Sequence, residues 1–214
     1  MLKQNKWKLL ATSLIILVPI LVGLVLWPKL PDTMPTHFGL DGTADGWNGK
    51  GFGVFGLPLI LLGAHLFCII LTSADPKSQN IGRKPIALLF WLMPIVSLVM
   101  NMAIYAYILG TRINMLFICI CLVGIMEIVL GNYLPKVQQN YTFGLKLPWT
   151  LHDPENWNRT HRLAGRCSII SGTILIVTAI LNTPWVVVIS LCLNVLVPTL
   201  YSFVYDLRHR PHHE

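Results

Sequence analysis

Residues 131–165, GNYLPKVQQNYTFGLKLPWTLHDPENWNRTHRLAG, form the longest polar interruption in the second half of a chain that is otherwise mostly hydrocarbon-like. Tyr133, Trp149 and Trp157 stand there among Asn132, Asn140, His152, Asp153, Glu155, His161 and Arg162. One apolar run reaches this stretch through Glu127, and another leaves it after Arg166. The pattern is that of a polar working surface strung between two segments long enough to cross a bilayer.

The rest of the chain agrees. Of its residues 54% are hydrophobic and 12% charged, about half the charged share of a soluble domain. The apolar residues gather in blocks of about 20, the length that spans a bilayer. Six blocks are present: Leu9–Trp27, Val54–Leu71, Pro85–Leu109, Ile113–Leu130, Leu163–Leu181 and Pro184–Tyr205. The fifth is the weakest, diluted by Ser168, Ser171, Thr173 and Thr178. A soluble all-helical protein is disfavoured, because too little polar surface remains to solvate six such helices. The expected fold is therefore an all-α polytopic integral membrane protein with six transmembrane helices. Two units are expected, residues 1–80 with the first two helices and 81–214 with the other four.

Charge sets the sidedness. With the N-terminus inside, Lys3, Lys6, Lys8, Lys77, Arg83, Lys84, Lys136, Lys146, Arg159, Arg162, Arg166, Arg208 and Arg210 share one side, and only Lys29, Lys50 and Arg112 face the other. This is the positive-inside bias. Both termini and the 131–165 loop are expected in the cytoplasm, and Pro28–Gly53 outside. The net charge of +7 is thereby explained by the lipid bilayer, with no direct nucleic-acid binding. Cys68, Cys119, Cys121, Cys167 and Cys192 all fall in or beside apolar blocks, which predicts buried structural thiols rather than a disulfide framework.

The N-terminal block has a basic front but is too long for a signal peptide and lacks a small-residue cleavage site. It reads as a retained first helix with a kink at Pro19. Thr36–Leu40 followed by Asp41-Gly42 reads as a short outer hairpin. His37, Asp41 and Asp45 there offer oxygen and nitrogen ligands for a cation, against the simpler reading of turn-forming Asp and Gly with Phe38 and Trp47 at the interface. The simpler reading is preferred, so no metal is expected. His65 reads as a packed, hydrogen-bonded residue, and Asn101 must face protein. Glu127, the one acid inside an apolar block, is a functional candidate by its cost at membrane depth. Alternatively it makes a structural hydrogen bond to Asn132, Asn140 or a loop arginine. Gly124 and Gly131 share its face and invite close approach of another helix. Asp153 with Pro154 forms a capped helix start, running through Trp157 and His161 into the fifth membrane helix, with Arg162 expected on their face. Asn182-Thr183-Pro184 gives an outer turn, and His212-His213 a floppy tail.

Two motifs carry a resemblance. Pro35-Thr36-His37-Phe38, Gly42, Asp45-Gly46-Trp47 and Lys50 match the P-x-H-F…G…DGW…K pattern of a domain of unknown function that often opens proteins of the SdpI family. Gly131-Asn132-Tyr133-Leu134-Pro135-Lys136, Asn140, Gly144-Leu145-Lys146, Pro148-Trp149-Thr150-Leu151, Trp157 and Thr160-His161-Arg162 are similar to that family's loop signature. Lys146 stands where arginine is common, and Leu147 where threonine is usual. The resemblance implies a membrane immunity protein that protects its cell against a secreted membrane-active toxin peptide. For some members it also implies a receptor that captures a cytoplasmic autorepressor, of the ArsR helix-turn-helix type. On that reading the inner binding residues are Glu127, Asn132, Asn140, Trp149, Thr150, Trp157, His161 and Arg162. The outer ones are His37, Phe38, Asp41, Asp45 and Trp47. No cofactor and no catalytic residue are expected, since HExxH, nucleophile-elbow, CxxC and phosphate-loop motifs are missing. The rival readings are a small-molecule transporter or a membrane-embedded enzyme using Glu127 and the His/Asp-containing loop.

Overall fold

A computed structural model describes residues 2–181 and 183–209. Asn182 of the expected outer turn and the His212-His213 tail lie outside the described residues. Six described helices are long and apolar enough to cross a membrane: α1 (Leu2–Leu26), α2 (Lys50–Ala74), α3 (Arg83–Ile108), α4 (Met115–Tyr133), α6 (Pro154–Thr178) and α7 (Trp185–His209). A short α5 (Pro148–His152) and a two-stranded hairpin, β1 (Thr33–Phe38) with β2 (Ala44–Gly49), complete the order. Each expected apolar block falls on one long helix. The helices turn apolar side chains outward along their length, with Val25 at 80% and Ile180 at 77% exposure. Surface of that kind is stable against lipid, not water. The chain is an all-α multi-pass membrane protein.

By contact the chain divides into two compact units, Met1–Ser73 with Ala87–Ile118, and Ala74–Ile86 with Cys119–Glu214. In the first, the core gathers Leu30, Met34, Val54, Ala103, Ile104, Tyr105 and Met115. Helix α3 is tied to α1 by hydroxyls donating to backbone carbonyls, Ser97 to Ile16 at 2.8 Å and Tyr105 to Pro19 at 3.0 Å. In lipid such buried donors have no water to turn to, so the bonds fix which faces meet. His65 is buried against Phe90 and bonds Thr12 at 3.0 Å. Asn101 is likewise buried and donates to the Ser97 carbonyl at 2.7 Å. Both behave as the sequence predicts.

In the second unit α4 and α6 meet through glycine. Gly124 lies against the Gly172 backbone and Gly131 against that of Gly165, so a Cβ at Gly124 or Gly131 would sit 2.8 Å from the facing carbonyl oxygen. Two antiparallel helices with glycines seven residues apart thus touch backbone to backbone, two turns apart. The close approach expected at Gly124 and Gly131 is present. The thiols differ from expectation: Cys68, Cys119, Cys121 and Cys167 are half-buried and Cys192 is exposed.

Candidate functional site

The hairpin expected on the outside belongs to the first unit. Its strands pair antiparallel, with Pro35 opposite Trp47, His37 opposite Gly46 and Phe38 opposite Ala44. The connection is longer than the two-residue turn suggested by Asp41-Gly42. The Gly39 N–H donates to the Thr43 carbonyl at 2.8 Å and that of Gly42 to the Gly39 carbonyl at 3.0 Å, with Gly42 at φ 80°. Asp41 accepts from the Thr43 amide at 2.9 Å and hydroxyl at 2.8 Å, and these bonds, the amide first, hold its carboxyl below the usual carboxylate value. Asp45 bonds His37 Nδ1 at 2.5 Å. The two acids are thus engaged separately, and among the described residues no three His, Cys, Asp or Glu side chains converge as a metal site. Phe38 packs edge-on to Tyr107 at 5.4 Å, whereas Trp47 is exposed.

Glu127 lies in the second unit, on α4 above the Gly124–Gly172 contact. Its carboxylate accepts from the Ser171 hydroxyl and, at 3.0 Å, from that of Ser190. Ser171 in turn accepts from the Asn194 amide at 2.9 Å. Three helices, α4, α6 and α7, therefore converge on one buried acid. The expected partners Asn132, Asn140 and a loop arginine are not used. Glu127 lies four residues before Gly131, so it points at the midpart of α6, away from the loop.

The loop folds by satisfying its own backbone. Asn140 is fully buried; its side chain accepts from the amides of Thr142 at 2.9 Å and Phe143 at 2.6 Å, and donates to the carbonyls of Gln138 and Phe143. Thr150 accepts from the Leu147 amide at 3.0 Å and donates to the Leu145 carbonyl at 2.9 Å. Asp153 caps α6 by accepting from the Glu155 amide at 2.8 Å, with Pro154 in the first turn. Both positions suit a helix start, as expected.

From that cap, Trp157 and His161 fall one turn apart and stack at 4.0 Å. The Trp157 indole N–H donates to the Val137 carbonyl at 2.8 Å. His161 Nδ1 bonds the Trp157 carbonyl at 2.8 Å, so it carries the proton, and Nε2 accepts from the Leu145 amide at 3.0 Å. A carbonyl on one side and an N–H on the other select a single neutral tautomer. Gly144, at φ 112°, rests on this imidazole, and a Cβ there would run into Nε2. Trp149, half-buried, donates to the Ser202 hydroxyl at 2.9 Å and packs against Phe203 on α7.

The structure thus brings Asn140, Thr150, Trp157 and His161 together inside the loop. Asn132 and Arg162 are exposed. Arg162 does not share the Trp157–His161 face: five residues from Trp157 is a rotation of about 140° on a helix. Trp157 is turned fully into the fold, Tyr133 and Trp149 are half-buried, and Tyr141 presents an exposed ring.

Sequence reasoning missed Asp75. This buried acid accepts from the Tyr141 amide and the Thr142 hydroxyl, both at 2.9 Å, and from the Lys77 amide at 2.8 Å. Beside it Asn80 donates to the Gln139 carbonyl at 2.7 Å. The short segment after α2 is therefore a clamp on the loop. Its only sequence signal is an acid before a proline in an otherwise basic turn. Asp75→Ala leaves three donors without their acceptor, at about 1–3 kcal/mol for a buried unsatisfied group. Amide exchange at Tyr141 and Lys77 is expected to rise at least tenfold, and unchanged exchange would show that the clamp is idle.

Residues 136–202 match the model of the SdpI/YfhL protein family, and residues 14–62 that of a domain of unknown function, DUF1648. The chain is 26% identical over 213 residues to the Immunity protein SdpI of Bacillus subtilis (strain 168), covering 92% of this chain and 95% of that one. No solved structure matches. The first match begins at Lys136 and takes in the Asn140 turn, the Trp157–His161 stack and Ser202. The relative named for immunity aligns with 92% of the chain, and the chain is a multi-pass cell-membrane protein similar to the SdpI/YfhL family over residues 136–202.

Proposed function

We propose that this protein confers immunity against a secreted, membrane-active toxin peptide, with the outer hairpin as the toxin-facing surface. The likeness to an immunity protein along almost the whole chain carries this reading. The hairpin supports it physically. Trp47 is an exposed aromatic on a rigid strand, beside the His37–Asp45 pair, which suits an amphipathic peptide arriving at the lipid surface. His37, Phe38, Asp41 and Asp45 shape that strand pair, and Trp47 is its contact.

The inner surface is proposed to capture a cytoplasmic autorepressor of the ArsR helix-turn-helix type. Asn140, Thr150, Trp149, Trp157 and His161 hold the platform, while Asn132, Tyr141 and Lys146 present its outer face with Arg162 at the edge. Glu127 joins α4, α6 and α7, the helices from which the platform rises. Coupling between two such surfaces requires a bundle with two arrangements.

A growth assay with secreted membrane-depolarising peptides tests the proposal. Cells expressing the chain are expected to survive at least one peptide at roughly tenfold higher concentration than empty-vector cells, a difference of about 1.4 kcal/mol. Trp47→Ala is expected to erase that margin at equal membrane abundance. Equal killing of expressing and empty-vector cells by every peptide would defeat the reading.

A further inference from the structure

At the inner end of the second unit, α6 and α7 enclose two clefts of about 270 and 280 Å³. The first is walled by Tyr205, Arg208 and Val204, the second by Arg162, Arg166 and Leu163, and both share Arg159 and Tyr201. Positions 159, 162 and 166 recur at three and four residues, so the arginines form one row on α6. Glu155 pairs with Arg159 at 2.7 Å, while Arg162 and Arg166 have no ion-pair partner among the described residues. Arg159 also lies over the Tyr205 ring at 5.5 Å, which keeps its planar fork at the junction of the two clefts.

The neighbourhood decides what such a row would bind. About one turn beyond Arg166, Ile169 and Ile170 are exposed apolar side chains, and on α7 Leu200 and Val204 are too. Cationic clefts thus open directly onto lipid-facing hydrocarbon, with Tyr201 and Tyr205 at the level between. A soluble phosphate or an acidic protein has no use for that apolar continuation, whereas a diacyl phospholipid occupies both parts at once.

We propose that these clefts are a binding site for an anionic phospholipid of the inner leaflet. Its phosphate is held by Arg162 and Arg166, and by Arg159 and Arg208 where a second phosphate is present. Its acyl chains lie along Leu163, Ile170 and Val204. The site seats the inner ends of α6 and α7 against the membrane surface and does not depend on the immunity reading.

The test uses the full chain, extracted in mild detergent after reconstitution in vesicles of phosphatidylcholine with phosphatidylglycerol, and intact-complex mass spectrometry of the lipids retained. The wild type is expected to keep phosphatidylglycerol in preference to phosphatidylcholine. Arg162→Gln with Arg166→Gln should weaken retention about thirtyfold, roughly fivefold for each arginine. Lys84→Gln with Lys136→Gln, basic residues outside the clefts, should retain lipid as the wild type does. If the double variant does not extract as a folded protein, Arg162→Gln and Arg166→Gln singly read the loss, each at roughly fivefold. Equal retention of both lipids, or of phosphatidylglycerol by both proteins, would overturn the proposal. So would displacement by millimolar inorganic phosphate, or preferential capture of a soluble polyglutamate peptide.

Discussion

Gly172→Leu is expected to abolish the folded form of the second unit. A Cβ at this position stands about where the Gly124 carbonyl and the Glu127 and Ile128 side chains already are, the nearest of these being carbonyl oxygen at 2.5 Å. A backbone cannot yield as a flexible side chain can, so α6 must withdraw from α4. The withdrawal removes dispersion contacts along two turns and parts Ser171 from Glu127, leaving an acid in hydrocarbon without its donors. Overpacking alone costs about 1–3 kcal/mol, and a stripped buried acid adds a comparable amount. The measurement is monodisperse yield from detergent extraction, with Gly63→Leu as the control, because nothing lies within 4 Å of a Cβ at Gly63. A Gly172→Leu protein extracting as well as Gly63→Leu would refute the backbone contact. Gly172→Ala is expected to fall between them.

Trp157→Ala is expected to release the inner loop while leaving the membrane helices in place. The substitution removes a fully buried indole, its bond to the Val137 carbonyl and the surface on which His161 stacks. Truncating a buried tryptophan costs about 3–5 kcal/mol. A loss of about 3 kcal/mol multiplies the open population roughly a hundredfold. Trypsin acting on inside-out vesicles reads this directly at Lys136 and Lys146, which flank the loop's core. Cleavage should accelerate strongly in Trp157→Ala and, through the lost Leu145 bond, less so in His161→Ala. Wild-type cleavage rates in both variants would mean that the stack does not hold the loop.

The helices were legible because their signal is long and redundant: each block places about 20 apolar residues in register, and no single residue decides it. The Asp153-Pro154 helix start was legible for the opposite reason, since its chemistry is wholly local. The site was harder. Ser171 read as a dilution of the fifth block, yet it is the hydroxyl that reaches Glu127. Nothing within nineteen residues of Ser171 announces Ser190, because their meeting depends on how α6 and α7 return past each other. Asp75 and Tyr141 are 66 residues apart and joined only by the fold. Trp157 and His161 were found by spacing, but whether such a pair faces inward or outward depends on what crosses above it. Here Gly144 and Leu145 cross, and a glycine with positive φ is the only trace of that in the sequence. The glycine ladder was half visible, in Gly124 and Gly131. Gly165 and Gly172 repeat the same seven-residue step, and reading the two together would have paired α4 with α6.

Sidedness is the claim on which the division between outer hairpin and inner platform rests. Its most direct measurement is labelling of single cysteines with a membrane-impermeant maleimide, in a background with the five native cysteines replaced by serine or alanine. Cysteine placed at Thr43, on the hairpin, is expected to label in intact cells. Cysteine placed at Lys146, exposed on the loop, should label only after the membrane is opened. Labelling at position 146 in intact cells would contradict the account.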